Sequence, residues 1–162
     1  MLMTRIQHPF EPLYNENSRI LILGSFPSVK SREQQFFYGH PQNRFWKVIS
    51  SLFDENVPTT IPEKKDLILC HGLALWDSIA SCEIIGSSDA SIRNAKANDI
   101  SLILNNSPIE KIICNGKKSY ELYKKYIEEQ TGRTAICLPS TSPANASWTM
   151  DKLIDAWSVL LD

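Results

Sequence analysis

The sequence predicts a three-layer α/β/α protein in which helices cover both faces of a central, mostly parallel sheet. Four short apolar runs carry this prediction, and each is followed by small or polar residues. The runs are residues 20–23, 73–76, 112–114 and 135–138. Helical patterns lie between them, and continuous apolar strands that alternate with helices are typical of parallel sheets buried on both faces.

The helices are predicted from apolar spacing and from start and stop signals. In one helix, residues 45, 48, 49, 52 and 53 are apolar, which is the i, i+3, i+4, i+7 and i+8 pattern of a single helical face. Three more helices are predicted over 62–71, 99–105 and 117–130, the last ending before Gly132. A final helix begins near Thr149, a good N-cap, and presents an apolar stripe that includes Leu153 and Trp157.

Composition sets the general class of the protein. A chain of 162 residues with 43% hydrophobic and 22% charged residues predicts one globular domain over 1–162. No apolar run approaches the roughly 20 residues that span a bilayer, and the amino terminus lacks the apolar segment of a signal peptide. We therefore expect a cytoplasmic protein with no membrane partner. The net charge of −1 means that any DNA-binding surface must be local.

The cysteines do not form a metal-binding pattern. Cys70, Cys82, Cys114 and Cys137 include no C-x-x-C pair and have no histidine at zinc-ligand spacing. We therefore predict no metal and no cofactor.

Polar residues follow all four predicted strands. Segments 24–28, 77–78, 115–116 and 139–145 occupy these positions. In open α/β sheets, ligands bind beyond the carboxyl ends of the strands, so these segments are predicted to form one site. No G-K-[ST] follows the first segment and no G-x-S-x-G is present, which argues against a P-loop and a serine hydrolase.

Two of the motifs carry a family resemblance. The loop Gly24-Ser25-Phe26-Pro27-Ser28 and the segment His40-Pro41-Gln42-Asn43-Arg44-Phe45-Trp46 closely resemble the uracil-DNA glycosylase superfamily. Within it the match is best to the hypoxanthine-DNA (deoxyinosine) glycosylases. Residues 8–10, 72–77 and 139–145 extend the resemblance in family order. The resemblance implies a four-stranded parallel sheet, which agrees with the four apolar runs.

The resemblance also implies an activity. Such an enzyme hydrolyses the N-glycosidic bond of a deaminated base in DNA, most closely hypoxanthine, and leaves an abasic site. DNA that contains deaminated bases is then the partner, and a monomer is expected. Two alternatives remain open: a glycosylase specific for uracil or mismatches, and a non-catalytic α/β domain that binds nucleotides or nucleic acid.

Several residues of these motifs are candidates for a base pocket, and each has a structural alternative. The candidates are Gly24, Ser25, Phe26, Pro27, Ser28, Tyr38, His40 and Asn115. Tyr38 or Phe37 either stacks on a flipped base or packs in the core. His40 either stabilises charge on the departing base or orients its loop. Asn115 either reads a polar base edge or forms a turn.

Asn43 is the predicted catalytic residue. In the mismatch-type relatives an asparagine at the position of Phe26 holds the attacking water, and phenylalanine cannot do so. The resemblance to the hypoxanthine-DNA glycosylases transfers that role to Asn43, whose carboxamide oxygen is expected to position the water. The structural alternative is a local helix cap.

The predicted DNA contacts come from two further segments. The loop residues Ser140, Ser142, Pro143, Ala144 and Asn145 stand where the superfamily has a phosphate-pinching loop, and they are expected to contact the DNA backbone. Lys117 and Lys118, at a helix start, either contact phosphates or form a solvated pair. The loop 86–92 receives no predicted role.

Overall fold

Two sheets and seven α-helices build the protein in the computed structural model, which describes residues 4–162. The strands are Thr4–Gln7 (β1), Ile20–Gly24 (β2), Leu73–Asp77 (β3), Ile79–Ile84 (β4), Arg93–Ala97 (β5), Lys111–Asn115 (β6) and Ile136–Leu138 (β7). The α-helices are Val29–Gln34 (α1), Phe45–Leu52 (α2), Ile61–Cys70 (α3), Ser101–Leu104 (α4), Lys117–Tyr126 (α5), Glu128–Thr131 (α6) and Met150–Trp157 (α7). Residues 1–3 of the amino-terminal stretch considered above lie outside the described residues.

The central sheet has four parallel strands in the order β3-β2-β6-β7. Its strands correspond to the four apolar runs, which confirms the predicted fold class. Side chains alternate between the two faces of β2, as the two-residue period of a strand requires. Ile20 and Ile22 belong to one hydrophobic core, and Leu21 and Leu23 belong to the other.

Helices cover both faces of this sheet. On one face α2 and α7 bury the predicted apolar stripes, with Phe45, Leu153 and Trp157 fully inaccessible to solvent, and α3 packs into the same core. On the other face α4 and α5 contribute Ile103 and Tyr123 to the second core. The protein is therefore layered α/β/α as expected, with a core on each side of the sheet.

Most helix boundaries agree with the prediction, and one helix is divided. The last α-helix follows Thr149, whose side chain accepts a hydrogen bond from the Lys152 N–H, as predicted for an N-cap. The helix predicted over 117–130 is instead divided into α5, which ends at Tyr126, and the short helix α6 over Glu128–Thr131. Helix α1 was not predicted, because only Ser31 of its six residues is buried and it has no apolar stripe.

A second, antiparallel sheet in the order β1-β4-β5 was not predicted. Strand β5 reads Arg-Asn-Ala-Lys-Ala and is largely exposed, so it lacks an apolar pattern and is held by backbone pairing with β4. This sheet positions the site, because the chain that follows β1 brings His8 to the end of β3. No helix among residues 4–162 is long and apolar enough to cross a membrane.

Candidate active site

A pocket of about 320 Å³ lies at the carboxyl ends of the parallel strands, where the sequence predicted a site. Its volume is at the lower end of the range for small-molecule sites. Most of the predicted site residues line it: Gly24, Ser25, Phe26, Pro27, Ser28, Tyr38, His40, Asn43, Asn115, Ser140, Ser142, Pro143 and Ala144. The structure thus brings together the base-pocket candidates, the catalytic candidate and most of the proposed DNA loop.

Three predicted residues do not line the pocket. Asn145 organises its own loop, since its side chain donates to the Ser140 carbonyl at 3.0 Å and its N–H donates to the Ser142 carbonyl at 3.0 Å. Lys117 and Lys118 begin α5 beside the pocket, and Lys117 is exposed. The backbone N–H of Gly116 donates to the Leu138 carbonyl, which joins the start of α5 to the strand that precedes the loop.

The Asn43 carboxamide has a defined orientation. Its Oδ1 accepts hydrogen bonds from the backbone N–H of Phe45 at 2.9 Å and from the Thr141 hydroxyl at 2.8 Å. A backbone N–H can only donate, so the atom that faces it must be the oxygen. Asn43 thus binds the first N–H of α2, although Arg44 occupies the N-cap position and makes no side-chain cap bond. The carbonyl oxygen already accepts two bonds, and Nδ2 is the part of the carboxamide with no hydrogen-bond partner among residues 4–162.

Thr141 connects Asn43 to Asn115. Its hydroxyl accepts from Asn115 Nδ2 at 3.0 Å, and its backbone N–H donates to Asn115 Oδ1 at 3.0 Å. Thr141 is fully buried, so its hydroxyl has one direction of donation left, toward Asn43. We refer to Asn43, Thr141 and Asn115 as the amide wall of the pocket.

Arg44 holds the loop that carries Thr141. Its backbone N–H donates to the Thr141 carbonyl at 3.0 Å, and its guanidinium donates to the carbonyls of Ser142, Asn145 and Trp148. Four donors of one residue thus tie the segment 141–148 to the start of α2. Because its guanidinium is engaged in these bonds, Arg44 has a structural role in holding this loop.

At the end of β3, Asp77 lines the pocket and forms a buried acid–imidazole pair with His8. His8 Nε2 lies 2.7 Å from Asp77 Oδ2, and the two side chains are only 4% and 6% exposed. The other carboxylate oxygen, Asp77 Oδ1, occupies the space where a Cβ of Gly24 would stand. A side chain at position 24 would collide with this carboxylate, which explains why the residue is glycine.

Tyr38 stands next to this carboxylate. Its Oη lies 3.5 Å from the same Cβ position on Gly24, is buried, and has no hydrogen-bond partner among the described residues. Burial and then the Asp77 carboxylate raise the pKa of Tyr38, while the neighbouring Asn115 carboxamide opposes this shift, so the hydroxyl keeps its proton. We refer to Asp77, His8 and Tyr38 as the acidic wall.

The backbone of Tyr38 is in an unusual conformation. Its φ of 52° lies in the left-handed region, where a bulky side chain is uncommon and strain is expected. The ring stacks on Phe45 with centroids 4.0 Å apart, so one face is already covered. Phe37, the other candidate for base stacking, is 2% exposed, packs edge-on against Phe10 and does not line the pocket.

Hydrogen bonds also order the rim of the pocket. The Ser25 hydroxyl donates to Asp89 Oδ1 at 2.7 Å, which docks the loop 86–92 beside the first motif. Asp89 keeps an exposed surface, but partial burial of its carboxyl raises its pKa, with the Ser25 hydrogen bond opposing the shift. His40 Nδ1 accepts the N–H of Gln42 at 3.1 Å, a contact within its own loop, so in the neutral ring Nε2 carries the proton.

Sequence reasoning missed several polar residues of the site. Asp77 was noted only as a polar strand end, Thr141 and His8 were given no role, and Asp89 lies in the loop left without one. The partner of Asp77 is 69 residues away in the chain, and no local spacing reveals such a pair. The predicted residues were found because they lie in short motifs, whereas the missed ones are joined by tertiary contacts.

Comparisons with known proteins identify the family of this chain. The family model of the uracil DNA glycosylase superfamily matches residues 11–161. A protein of Methanosarcina acetivorans named hypoxanthine DNA glycosylase is 35% identical over 149 residues, which cover 91% of this chain and 93% of the relative. A protein of the same name from Methanosarcina barkeri is 32% identical over 138 residues, covering 84% and 86%.

A solved structure has the same fold. The solution structure of a Methanosarcina acetivorans protein, provisionally named a uracil DNA glycosylase, superimposes with a TM-score of 0.80 at 29% identity. The match covers 98% of this chain and all of the other. From the extent of these matches, we conclude that the chain belongs to the uracil DNA glycosylase superfamily.

Proposed function

We propose that this protein is a monofunctional DNA glycosylase that releases hypoxanthine from deoxyinosine in DNA. The observation that carries the proposal is Asn43, held in a fixed orientation on one wall of a base-sized pocket at the carboxyl ends of the parallel strands. The relatives named hypoxanthine DNA glycosylase, which align with most of the chain, support hypoxanthine as the base.

The reaction is hydrolysis at the sugar carbon C1′. The C1′–N9 bond breaks and its electron pair leaves with the base, which develops positive, oxocarbenium-like charge on the sugar. A water oxygen then bonds to C1′ and gives up a proton, and the departing base anion takes up a proton, so that the products are an abasic site and neutral hypoxanthine. The base must leave the DNA stack to reach a pocket of this kind, as in other enzymes that act on bases.

Asn43 is proposed to hold the water. The expectation from sequence was that its carboxamide oxygen does so, but that oxygen already accepts from Phe45 and Thr141. The unpartnered Nδ2 is the group that remains, and it can donate to the water oxygen and leave a lone pair free for C1′. Positioning of this kind reduces the entropic cost of bringing a nucleophile to an electrophile.

The remaining pocket residues are proposed to receive the base and the DNA backbone. Phe26 offers an aromatic surface, and base–aromatic stacking contributes about 1–3 kcal/mol. The loop residues Ser140, Ser142, Pro143 and Ala144 line the same pocket, where their polar groups can meet phosphate oxygens. Lys117 and Lys118 add positive charge next to this loop.

Base release from defined DNA tests the proposal. Labelled oligonucleotides that carry deoxyinosine, deoxyuridine, deoxyxanthosine or only normal bases are incubated with the protein, and abasic sites are then cleaved with alkali. We expect cleavage at deoxyinosine above the other bases. Preferential cleavage at deoxyuridine would favour the uracil-specific alternative, and tight DNA binding without any cleavage would favour a non-catalytic domain.

A further inference from the structure

The acidic wall contains polar atoms that the protein itself does not satisfy. In the described part of the chain, the buried Tyr38 hydroxyl has no hydrogen-bond partner. Asp77 lines the pocket, and of its carboxylate oxygens only Oδ2 is hydrogen-bonded within residues 4–162, to His8. The Tyr38 hydroxyl and Asp77 Oδ1 border the same point above Gly24. Buried polar groups are nearly always paired, so an unpaired buried hydroxyl beside a free carboxylate oxygen in a pocket indicates the place of a ligand's polar atoms.

The hydrogen bonds of His8 determine what Asp77 Oδ1 can offer. His8 Nδ1 lies 2.8 Å from the Phe10 carbonyl, which can only accept, so Nδ1 carries a hydrogen. One further proton then lies between His8 Nε2 and Asp77 Oδ2, whichever atom it is bonded to. In both arrangements Asp77 Oδ1 has no proton and is an acceptor.

Tyr38 offers the opposite polarity next to it. The Tyr38 hydroxyl is protonated and can donate its hydrogen to a ligand, whereas Asp77 Oδ1 can accept a hydrogen from a ligand. Asp77 and Tyr38 together therefore match a ligand edge on which an N–H stands next to a carbonyl. Deaminated bases have this lactam edge, since hypoxanthine carries N1–H beside O6. Adenine has the reverse, an N1 lone pair beside an N6 amino group.

We propose that Asp77 and Tyr38 determine specificity by reading the lactam edge of the base, Asp77 Oδ1 accepting N1–H and Tyr38 Oη donating to O6. This inference rests on the proposed function and names the residues that select its substrate. Adenine would direct its N1 lone pair at the carboxylate and leave both groups unpaired, which is the kind of mismatch that discriminates strongly between substrates.

Tyr38→Phe is the principal test. It keeps the ring that stacks on Phe45 and removes only the unpartnered hydroxyl, so a purely structural tyrosine predicts no loss of activity. We expect single-turnover release of hypoxanthine to fall about 10- to 100-fold, while the melting temperature stays the same or rises. Unchanged release of hypoxanthine by a folded Tyr38→Phe protein would overturn the proposal.

A second substrate provides the control. Unsubstituted purine has hydrogen at C6 and a lone pair at N1, so in the same pose it offers no N–H to Asp77 and no oxygen to Tyr38. The native protein should release it more slowly than hypoxanthine, and Tyr38→Phe should not slow it further. An equal loss on both bases would overturn the assigned role. If the native protein releases neither base, the proposed function itself fails, which distinguishes the two outcomes.

Asp77 is tested by comparing two variants. In Asp77→Asn, neutral His8 accepts the amide N–H and the amide oxygen still faces Gly24, so an acceptor remains. Asp77→Ala removes this acceptor. We expect the preference for hypoxanthine over purine to decrease in the order native, Asp77→Asn, Asp77→Ala. A native preference in folded Asp77→Ala would overturn the proposal, and the Tyr38 result stands independently if that variant does not fold.

Discussion

The two walls of the pocket differ in how their polar atoms are satisfied. On the amide wall, Thr141 links Asn43 to Asn115 through three hydrogen bonds of 2.8 to 3.0 Å. On the acidic wall, the Tyr38 hydroxyl is buried and unpartnered within residues 4–162, and only one oxygen of Asp77 is engaged, by His8. Hydrogen bonds within the protein hold the side chains of the amide wall in place, whereas the polar atoms of the acidic wall remain available to a ligand.

This difference suggests a division of labour. The amide wall orients one catalytic group, and its variants should affect the chemical step. The acidic wall reads the base, and its variants should change which base is released. If the comparison is right, variants of the amide wall change the rate and variants of the acidic wall change the base preference. If it is wrong, both classes of variant change both quantities.

Loss of the Asn43 side chain should have the largest effect. We expect Asn43→Ala to slow single-turnover release of hypoxanthine by roughly 100-fold or more, a magnitude typical of removing one well-placed polar group. Binding to deoxyinosine DNA should change little, because the contact acts mainly in the transition state. Rapid-quench kinetics and fluorescence anisotropy measure the two quantities on the same oligonucleotide.

Asn43→Asp tests whether Nδ2 is the atom of Asn43 that holds the water. The variant keeps an oxygen for Phe45 and Thr141 and places a second oxygen where the native residue has Nδ2. If Nδ2 holds the water, the rate of Asn43→Asp should fall close to that of Asn43→Ala. A rate near that of the native protein for a folded Asn43→Ala would reduce Asn43 to a helix cap.

Thr141→Val should have an intermediate effect. It removes the hydroxyl that donates to Asn43 and accepts from Asn115, but keeps the volume of the side chain. The loss of about 1 kcal/mol of positioning predicts roughly a five- to tenfold slower chemical step, with the preference among bases unchanged. Thr141→Ser is the matched control, because it keeps the hydroxyl. A changed base preference in Thr141→Val would contradict the separation of the two walls.

The smallest expected effect is on the salt dependence of DNA binding. Arg44 is engaged by the carbonyls of the loop 142–148, whereas Lys117 and Lys118 at the start of α5 are proposed to meet phosphates. The slope of log affinity against log salt should correspond to about 2–4 phosphates, and Lys117→Ala should lower that number by about one. Titrations of DNA at several salt concentrations give the slope. A value equivalent to eight or more phosphates would mean that another basic surface binds DNA.

The sequence predicted the fold well where residues carry their own pattern. Strand β2 and helix α2 are dense in apolar residues at the period of their element, and they formed close to the predicted boundaries. Strand β5 has no such pattern, because its place in the antiparallel sheet depends on pairing with β4. The second sheet therefore needed the three-dimensional structure.

The residues of the site likewise fall into those that local sequence patterns predicted and those that only tertiary contacts reveal. Asn43 and Phe26 were found because they lie in recognisable motifs close to strand ends. The orientation of the Asn43 amide was not predictable, since it depends on Thr141, 98 residues later in the chain. His8 and Asp77 likewise meet only because the second sheet carries the chain back to the end of β3.

A crystal structure of Asn43→Ala bound to DNA with a flipped deoxyinosine tests the account most directly. We expect hypoxanthine in the pocket with N1 within hydrogen-bonding distance of Asp77 Oδ1, O6 within reach of Tyr38 Oη, and C1′ facing the amide wall. A base that lies outside the pocket, or one that turns its N1–O6 edge toward Thr141 and Asn115, would contradict the division of the site into a catalytic wall and a reading wall.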